Sequence, residues 1–454
     1  MDGLVYPDRM PHTGLLEFKN VHRPVRVMQF AQDTGEVTIR NFMDYLNLKD
    51  YLTITYAVLQ DGKIMESREI TDAALLDLKP HHEKKLSLEF TIPKSGKCYL
   101  KLEYRAAKTD GPVQKGDLLG FDETALATED NCNQTVKVLL ESLKDLEKKD
   151  NIKKEIIKED NINKEDISEG LIIQEDDRYI YISRPEFSYV YNKLTGAFEK
   201  MVYQNMNYLE KPMEFNVWRA PTDNDRNVKH LWMKANYDKI VTRAYETSYR
   251  TWEGCVEIST SLSLSAIYTQ RLAEIQVCWT IYPDGTIGTH QEVRRPSGLP
   301  FLPRFGLRLF LPKEMEQAEY TGLGPVESYI DKCRASYHGK FQSLIEKMHE
   351  DYLRPQENGS HYDCDYVKIC GTRAELTAYG KETFSFNASV YTQEELTQKE
   401  HNYELVPSGY TVLCLDYIQS GIGSNSCGPE LAKEYRLDKE EFVFECFIKP
   451  GRCK

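Results

Sequence analysis

The sequence predicts an all-β protein built from two units, with a short charged segment between them. Three observations carry that expectation. Apolar and polar residues alternate with a period of two through most of the chain, and helical periodicity is nearly absent. Turn signals such as Asp61-Gly62 and Pro283-Asp284-Gly285 separate the alternating runs. With 454 residues the chain is also too long for one ordinary core, so two or more domains are expected. Its 29 tyrosines suit strands, where flat side chains pack on a pleated, half-buried surface.

The first unit is read from residues 1–130. Leu52, Ile54, Tyr56 and Val58 share one face of a strand that turns at Asp61-Gly62. The runs at 86–93 and 98–107 repeat the alternation, and 116–126 forms the expected last edge. Several short strands at this spacing predict a sandwich of the immunoglobulin-like kind. Residues 131–171 differ: 17 of the 30 residues from 141 to 170 are Asp, Glu, Lys or Arg. That composition favours a solvated linker or surface excursion over a weak amphipathic helix carrying Leu143, Leu146, Ile152, Ile156 and Ile157. From 172 to 454 long alternating stretches return, predicting a large antiparallel domain with two extended sheets face to face. A short helical piece is expected at 392–400.

Composition narrows the functional classes. The formal net charge of −13 argues against nucleic acid or an anionic membrane surface as the main partner. No run approaches the apolar length of a membrane span, and the N-terminus does not read as a signal peptide. The eleven cysteines are odd in number, scattered, and never spaced C-x-x-C, which predicts reduced thiols in a cytoplasmic protein rather than a disulfide frame. The ten histidines include no pair spaced by four, so no metal site is expected from spacing.

Few motifs carry chemistry. The stretch Trp218-Arg219-Ala220-Pro221-Thr222-Asp223-Asn224-Asp225 lacks the glycine and later glutamate of a calcium loop. Its carboxylates fit an Asx-rich turn accepting backbone N–H groups, or a polar lining for a hydroxyl-rich ligand with Trp218 as an apolar plate. The glycines of 321–329 read as a tight turn, because the lysine and hydroxyl of a phosphate loop are missing. Cys427 lies in a glycine-rich stretch with no identifiable base beside it.

Six segments in order, DGLVYPDRMPH (2–12), WRAPTDNDR (218–226), GLGPVESYID (322–331), RPQENG (354–359), FNASVYTQEEL (386–396) and GIGSNSCGP (421–429), resemble the C-terminal part of the glycoside hydrolase family 2 β-galactosidases, the LacZ type. The resemblance covers nearly the whole chain outside the charged segment. It implies that residues 1–130 form the family's fourth domain, a second immunoglobulin-like sandwich. Residues 172–454 then form its fifth, a galactose mutarotase-like β-supersandwich. DGLVYPDRMPH resembles the segment just after the catalytic barrel, and Met1 directly before it suggests a cut made for expression.

In the family the two catalytic glutamates and the magnesium and sodium ligands lie on the barrel. The resemblance therefore implies no catalytic residue, no metal and no cofactor in this chain. It implies a β-galactoside such as lactose as the substrate of the intact enzyme, the N-terminal catalytic portion as a partner, and a homo-oligomer. The fifth domain is expected to supply a pocket wall around Trp218, Arg219, Asp223, Asn224 and Asp225. A movable loop would begin at Arg226-Asn227 and continue through His230. The family often has glycine where Asn227 stands, and asparagine tolerates a left-handed backbone. Some members place a sugar-stacking tryptophan where this chain has Cys427, which cannot offer a broad face to a sugar ring. Two alternatives stand beside this reading: a naturally separate small subunit, and a carbohydrate-binding module without a catalytic partner.

Overall fold

The computed structural model describes residues 3–159 and 170–453, the side chains of 147–159 excepted; Met1 and residues 160–169 of the expected charged segment lie outside the described residues. The first unit pairs two antiparallel sheets. Strands Val25–Ala31, Glu36–Asn41 and Glu83–Ser87 form one; Lys63–Glu69, Leu52–Gln60, Cys98–Ala106 and Leu118–Leu126 form the other, in that order. Val37, Ile39 and Leu86 meet Ile54, Val58, Leu100 and Leu102 in a closed core, as the period-two alternation requires. At the hairpin tip Asp61 and Gly62 both take positive φ, 50° and 78°, the geometry a two-residue turn demands. The run expected as a strand at 86–93 pairs only through Ser87. Its partner strand ends at Glu36, and the chain turns away at Gly35.

The second unit stacks a five-stranded sheet on a twelve-stranded one. Tyr191 and Phe198 of the small sheet reach Thr260 and Trp279 of the large one. The Tyr191 hydroxyl lies 2.6 Å from Thr260 Oγ1, and the rings of Phe198 and Trp279 are 5.3 Å apart, edge to face. The Pro283–Gly285 turn joins strands Ala273–Ile281 and Ile287–Arg294 as expected, with Gly285 at φ 85°. The short helix falls at Gln393–Gln398, capped by Thr392. Gly322 and Gly324, expected in a tight turn, instead sit in strand Gln317–Gly324. A Cβ on Gly322 would come within 2.8 Å of the Cys364 backbone, so glycine is required there by close strand contact.

The linker expectation for 131–171 is corrected in its first half. Asn133 caps a helix spanning Gln134–Glu159, its Oδ1 accepting from Thr135 N at 3.0 Å. Val136 and Leu143 are buried against Cys255, Tyr282, Tyr366 and Tyr379, and Leu139, Leu140 and Leu146 pack beside them. That apolar stripe recurs at helical spacing and finds a hydrophobic face on the second sandwich, which outweighs the charge of the flanking residues.

Polar contacts join the two sandwiches. Lys97 Nζ lies 2.5 Å from Asp365 Oδ1, and Asn133 Nδ2 donates to Asp365 Oδ2 at 3.2 Å. His338 bridges Glu123 (2.6 Å) and Asp363 (2.9 Å) through its two ring nitrogens and stacks on Tyr99. Burial alone would lower the His338 pKa; the two carboxylates overcome it and raise it to about 9.

Candidate functional site

Strand Lys211–Asn216 ends where the Asn216 side chain accepts from Trp218 N at 3.0 Å, turning the chain into the motif. Arg219 then points inward and is fully buried. Its guanidinium holds Asp225 in a two-point contact, Nε to Oδ2 at 3.1 Å and a terminal nitrogen to Oδ1 at 2.7 Å. It also donates to the carbonyls of Ser420 and Gly421, and stands over the Trp232 ring. Asp225 Oδ2 further accepts from Thr222 N at 2.9 Å and Thr222 Oγ1 at 3.1 Å, closing a turn over Asp223–Asp225. The Asx-turn reading therefore holds for Asp225, which ties the motif to the glycine-rich stretch.

That stretch is fixed from both sides. The N–H groups of Ile422 and Gly423 donate to the Asp331 carboxylate at 2.9 and 2.7 Å. Asn224 Nδ2 donates to the Gly423 carbonyl at 2.8 Å, and Ser426 Oγ donates to Asn224 Oδ1 at 2.8 Å. A Cβ on Gly421 would lie 2.5 Å from the Asp331 carboxyl carbon, so glycine at 421 permits the approach. Beneath, Glu357 accepts from Ala220 N at 3.0 Å and from Arg304 at 2.6 Å, and Arg304 also pairs with Asp416.

Facing this wall is the segment at the start of the chain. Thr13, first residue of helix Thr13–Val21, donates to Glu327 Oε1 at 2.6 Å. Lys332 Nζ reaches the same oxygen at 2.7 Å, while Tyr329 and the Gly359 N–H contact Oε2. Burial would raise the Glu327 pKa, but the Lys332 charge and these hydrogen bonds hold it down at about 2. Nearby, Tyr6 donates to Glu350, whose carboxyl is pushed up to about 7 by burial and then by repulsion from Glu327. Between wall and segment opens a cleft of about 400 Å³ lined by His12, Asp223, Asn224, Lys332, Gly423 and Ser426 among others. Five of the six sequence segments contribute to it. The sixth braces it, Asn387 donating to the Asn358 carbonyl at 2.6 Å.

The expected site residues divide. Asp223 and Asn224 line the cleft, and Arg219 and Asp225 are buried behind it. Asn227 is exposed and donates to the Asn425 carbonyl at 3.2 Å. Trp218 is not an apolar plate there: it is 5% exposed, donates to Thr397, and lines a separate cavity with Arg308 and Glu394. Arg226 and His230 are exposed, and Cys427 is exposed beside Ser426. The expected loop from Arg226 through His230 is helical instead. Arg226 and Asn227 take right-handed backbones, Asn227 with φ −88° and ψ −46°, and helix Val228–Lys234 follows, anchored by fully buried Trp232. A left-handed asparagine is not needed.

Thr13, Glu327, Asp331, Lys332 and Glu357 were not singled out from the sequence. They lie within or beside the six segments, but their pairing across more than 300 residues in the case of Thr13 and Glu327 leaves no local pattern. Chemically, the acids with defined partners are all engaged: Asp225 by Arg219, Glu357 by Arg304, Glu327 by Lys332, Asp331 by backbone N–H groups. Such a wall holds shape and offers polar edges for hydroxyl groups.

The chain is similar to known proteins along most of its length. The family described as beta galactosidase small chain matches residues 183–448, and beta-galactosidase domain 4 matches residues 37–127. A β-galactosidase of Actinobacillus pleuropneumoniae is 38% identical over 444 residues, covering 97% of this chain and 40% of that protein. One of Staphylococcus xylosus is 31% identical over 454 residues, covering 99% of this chain and 42% of that protein. The chain thus spans about two fifths of the length of the curated relatives it matches. Among solved structures, galactose 1-epimerase from Lactobacillus acidophilus aligns with 63% of this chain and 99% of that chain at 8% identity, with a TM-score of 0.34, too low to bear on function.

Proposed function

The chain belongs to the β-galactosidase small-chain family, and on that premise we propose that it is the C-terminal, non-barrel part of a family 2 β-galactosidase. In this reading residues 1–130 and 172–454 are the fourth and fifth domains of an enzyme that removes terminal β-D-galactose, with retention, from β-galactosides such as lactose. Retaining hydrolysis needs a proton-donating carboxyl and a nucleophilic carboxylate about 5 Å apart. Both are assigned to the barrel segment, together with the magnesium and sodium ions. This chain supplies the far wall of the pocket and contacts within a cytoplasmic homo-oligomer.

One observation carries the proposal. Segments from residues 3 to 426 converge on a single cleft whose buried acids are each neutralised by a fixed partner. A wall of that kind is preorganised, which suits the positioning of a sugar against reactive groups supplied from elsewhere. The segment from Arg226-Asn227 through His230 is the part of that wall assigned to move over the site, hinged on the buried Trp232.

Complementation tests it. The purified chain, mixed with a separately expressed N-terminal portion of the same enzyme, is expected to restore cleavage of a chromogenic galactoside, while the chain alone is inactive. Unaided cleavage by the chain overturns the proposal. Failure to complement, together with measurable galactose binding by the isolated chain, identifies a binding module instead.

A further inference from the structure

Far from the cleft, three side chains with metal-ligating atoms converge at the end of the last strand. Cys370 closes strand Ser360–Cys370, and Glu375 opens strand Glu375–Ser389 directly opposite it across a tight turn. On its other side Glu375 pairs with Gly451, near the end of strand Glu441–Gly451, and Cys453 follows two residues later. The two sulfurs and a Glu375 carboxylate oxygen all lie within 4.8 Å of one another. The register of three neighbouring strands therefore brings Cys453 to a Cys370–Glu375 pair from far along the chain, which spacing along the sequence does not reveal.

The surroundings add a second observation. Cys453 Sγ lies 3.1 Å from the Gly371 carbonyl oxygen and 3.3 Å from that of Ala374. The Ala374 carbonyl already accepts the Gly371 N–H at 2.8 Å, so the half-buried Cys453 S–H has the Gly371 carbonyl as its acceptor and both oxygens face the sulfur. The nearest charged partner of Glu375 is Lys368, at a loose 3.7 Å.

We propose that Cys370, Glu375 and Cys453 bind a divalent cation of the zinc class. Two thiolates and one carboxylate suit that ion, and three protein ligands leave a fourth tetrahedral position for water or one of the two carbonyls. On binding, the two thiols release their protons to solvent as the sulfur–metal bonds form, and Glu375 enters as the carboxylate. The bound ion clamps the final strand to the turn at 371–374. It thereby secures Cys453 beside a strand whose Phe442, Phe444 and Ile448 fill the main core.

Titration of the reduced, full-length chain with cobalt(II) tests this, because thiolate coordination produces a charge-transfer absorption in the near ultraviolet. One equivalent of cobalt per chain is expected to develop that band, and zinc to abolish it by displacement. Cys370→Ser and Cys453→Ser each remove the band. Glu375→Gln weakens cobalt binding by at least the ~10-fold that an outer-sphere partner commands. Cys427→Ser, outside the cluster, leaves the titration unchanged. Zinc raises the melting temperature of the unsubstituted chain but not of Cys453→Ser, and metal-free melting curves establish that each variant is folded. A band that survives in both serine variants overturns the proposal. So does a Cys370–Cys453 disulfide accompanied by no cobalt uptake in the reduced chain.

Discussion

Replacing Asp225 by asparagine is the sharpest test of the buried tie behind the cleft. The Arg219 and Asp225 side chains are 0% and 4% exposed, so the guanidinium has no access to water if its partner is lost. Asparagine keeps the size and one oxygen for Thr222 N but removes the charge. Leaving a buried charge uncompensated costs about 3–5 kcal/mol, and weakening the Thr222 turn adds up to ~1 kcal/mol. All four tryptophans, Trp218, Trp232, Trp252 and Trp279, lie in the second sandwich, so their fluorescence during urea unfolding reads that unit alone. Asp225→Asn should shift the midpoint by the equivalent of about 4 kcal/mol with an unchanged slope. The double variant Arg219→Met/Asp225→Leu should recover much of the loss, because a matched apolar pair removes the stranded charge. A single-variant effect below ~1 kcal/mol would refute the reasoning, since the pair would then be neither desolvated nor holding the turn.

Four further outcomes are expected. The raised His338 pKa means that its bridge contributes fully below about pH 6.5 and is lost as pH rises through about 9, a change of about 3 kcal/mol. Urea midpoints at pH 6 and pH 9.5 should therefore diverge more in the unsubstituted chain than in His338→Phe. Glu350 shifts stability in the same direction over a lower window: its carboxyl, raised to about 7, penalises the folded state progressively from about pH 4.5 to 7 as it ionises. Glu350→Gln should thus raise the melting temperature at pH 8 and leave it unchanged at pH 4. Leu143→Ala should cost about 2–3 kcal/mol in denaturant unfolding, whereas Val138→Ala, at a position 64% exposed on the same helix, should cost almost nothing. In the complemented enzyme, Cys427→Trp should tighten binding of glucose as an acceptor; an unchanged affinity would place that stretch away from the pocket.

Much of the fold was legible because strand periodicity is a local property. Leu52, Ile54, Tyr56 and Val58 announce their face, and Asp61-Gly62 and Gly285 announce their turns, without reference to distant residues. Composition hides the helix at Gln134–Glu159, because its second half is dominated by charged residues. The earlier signal, Asn133 as cap followed by Val136, Leu139, Leu140 and Leu143, was local and readable. Its docking face, by contrast, comes from Cys255, Tyr282, Tyr366 and Tyr379, which no window can gather. The cleft divides the same way. The WRAPTDNDR and GIGSNSCGP segments were singled out, but Glu327, Lys332 and Thr13 acquire their roles through long-range pairing. Trp218 misled because an aromatic beside a polar turn reads alike whether it faces a ligand or a core.

The Lys97–Asp365, His338–Glu123 and Thr13–Glu327 contacts tie the two sandwiches together independently of the covalent thread between them. A protease nick anywhere along that thread would leave both halves travelling together through a sizing column.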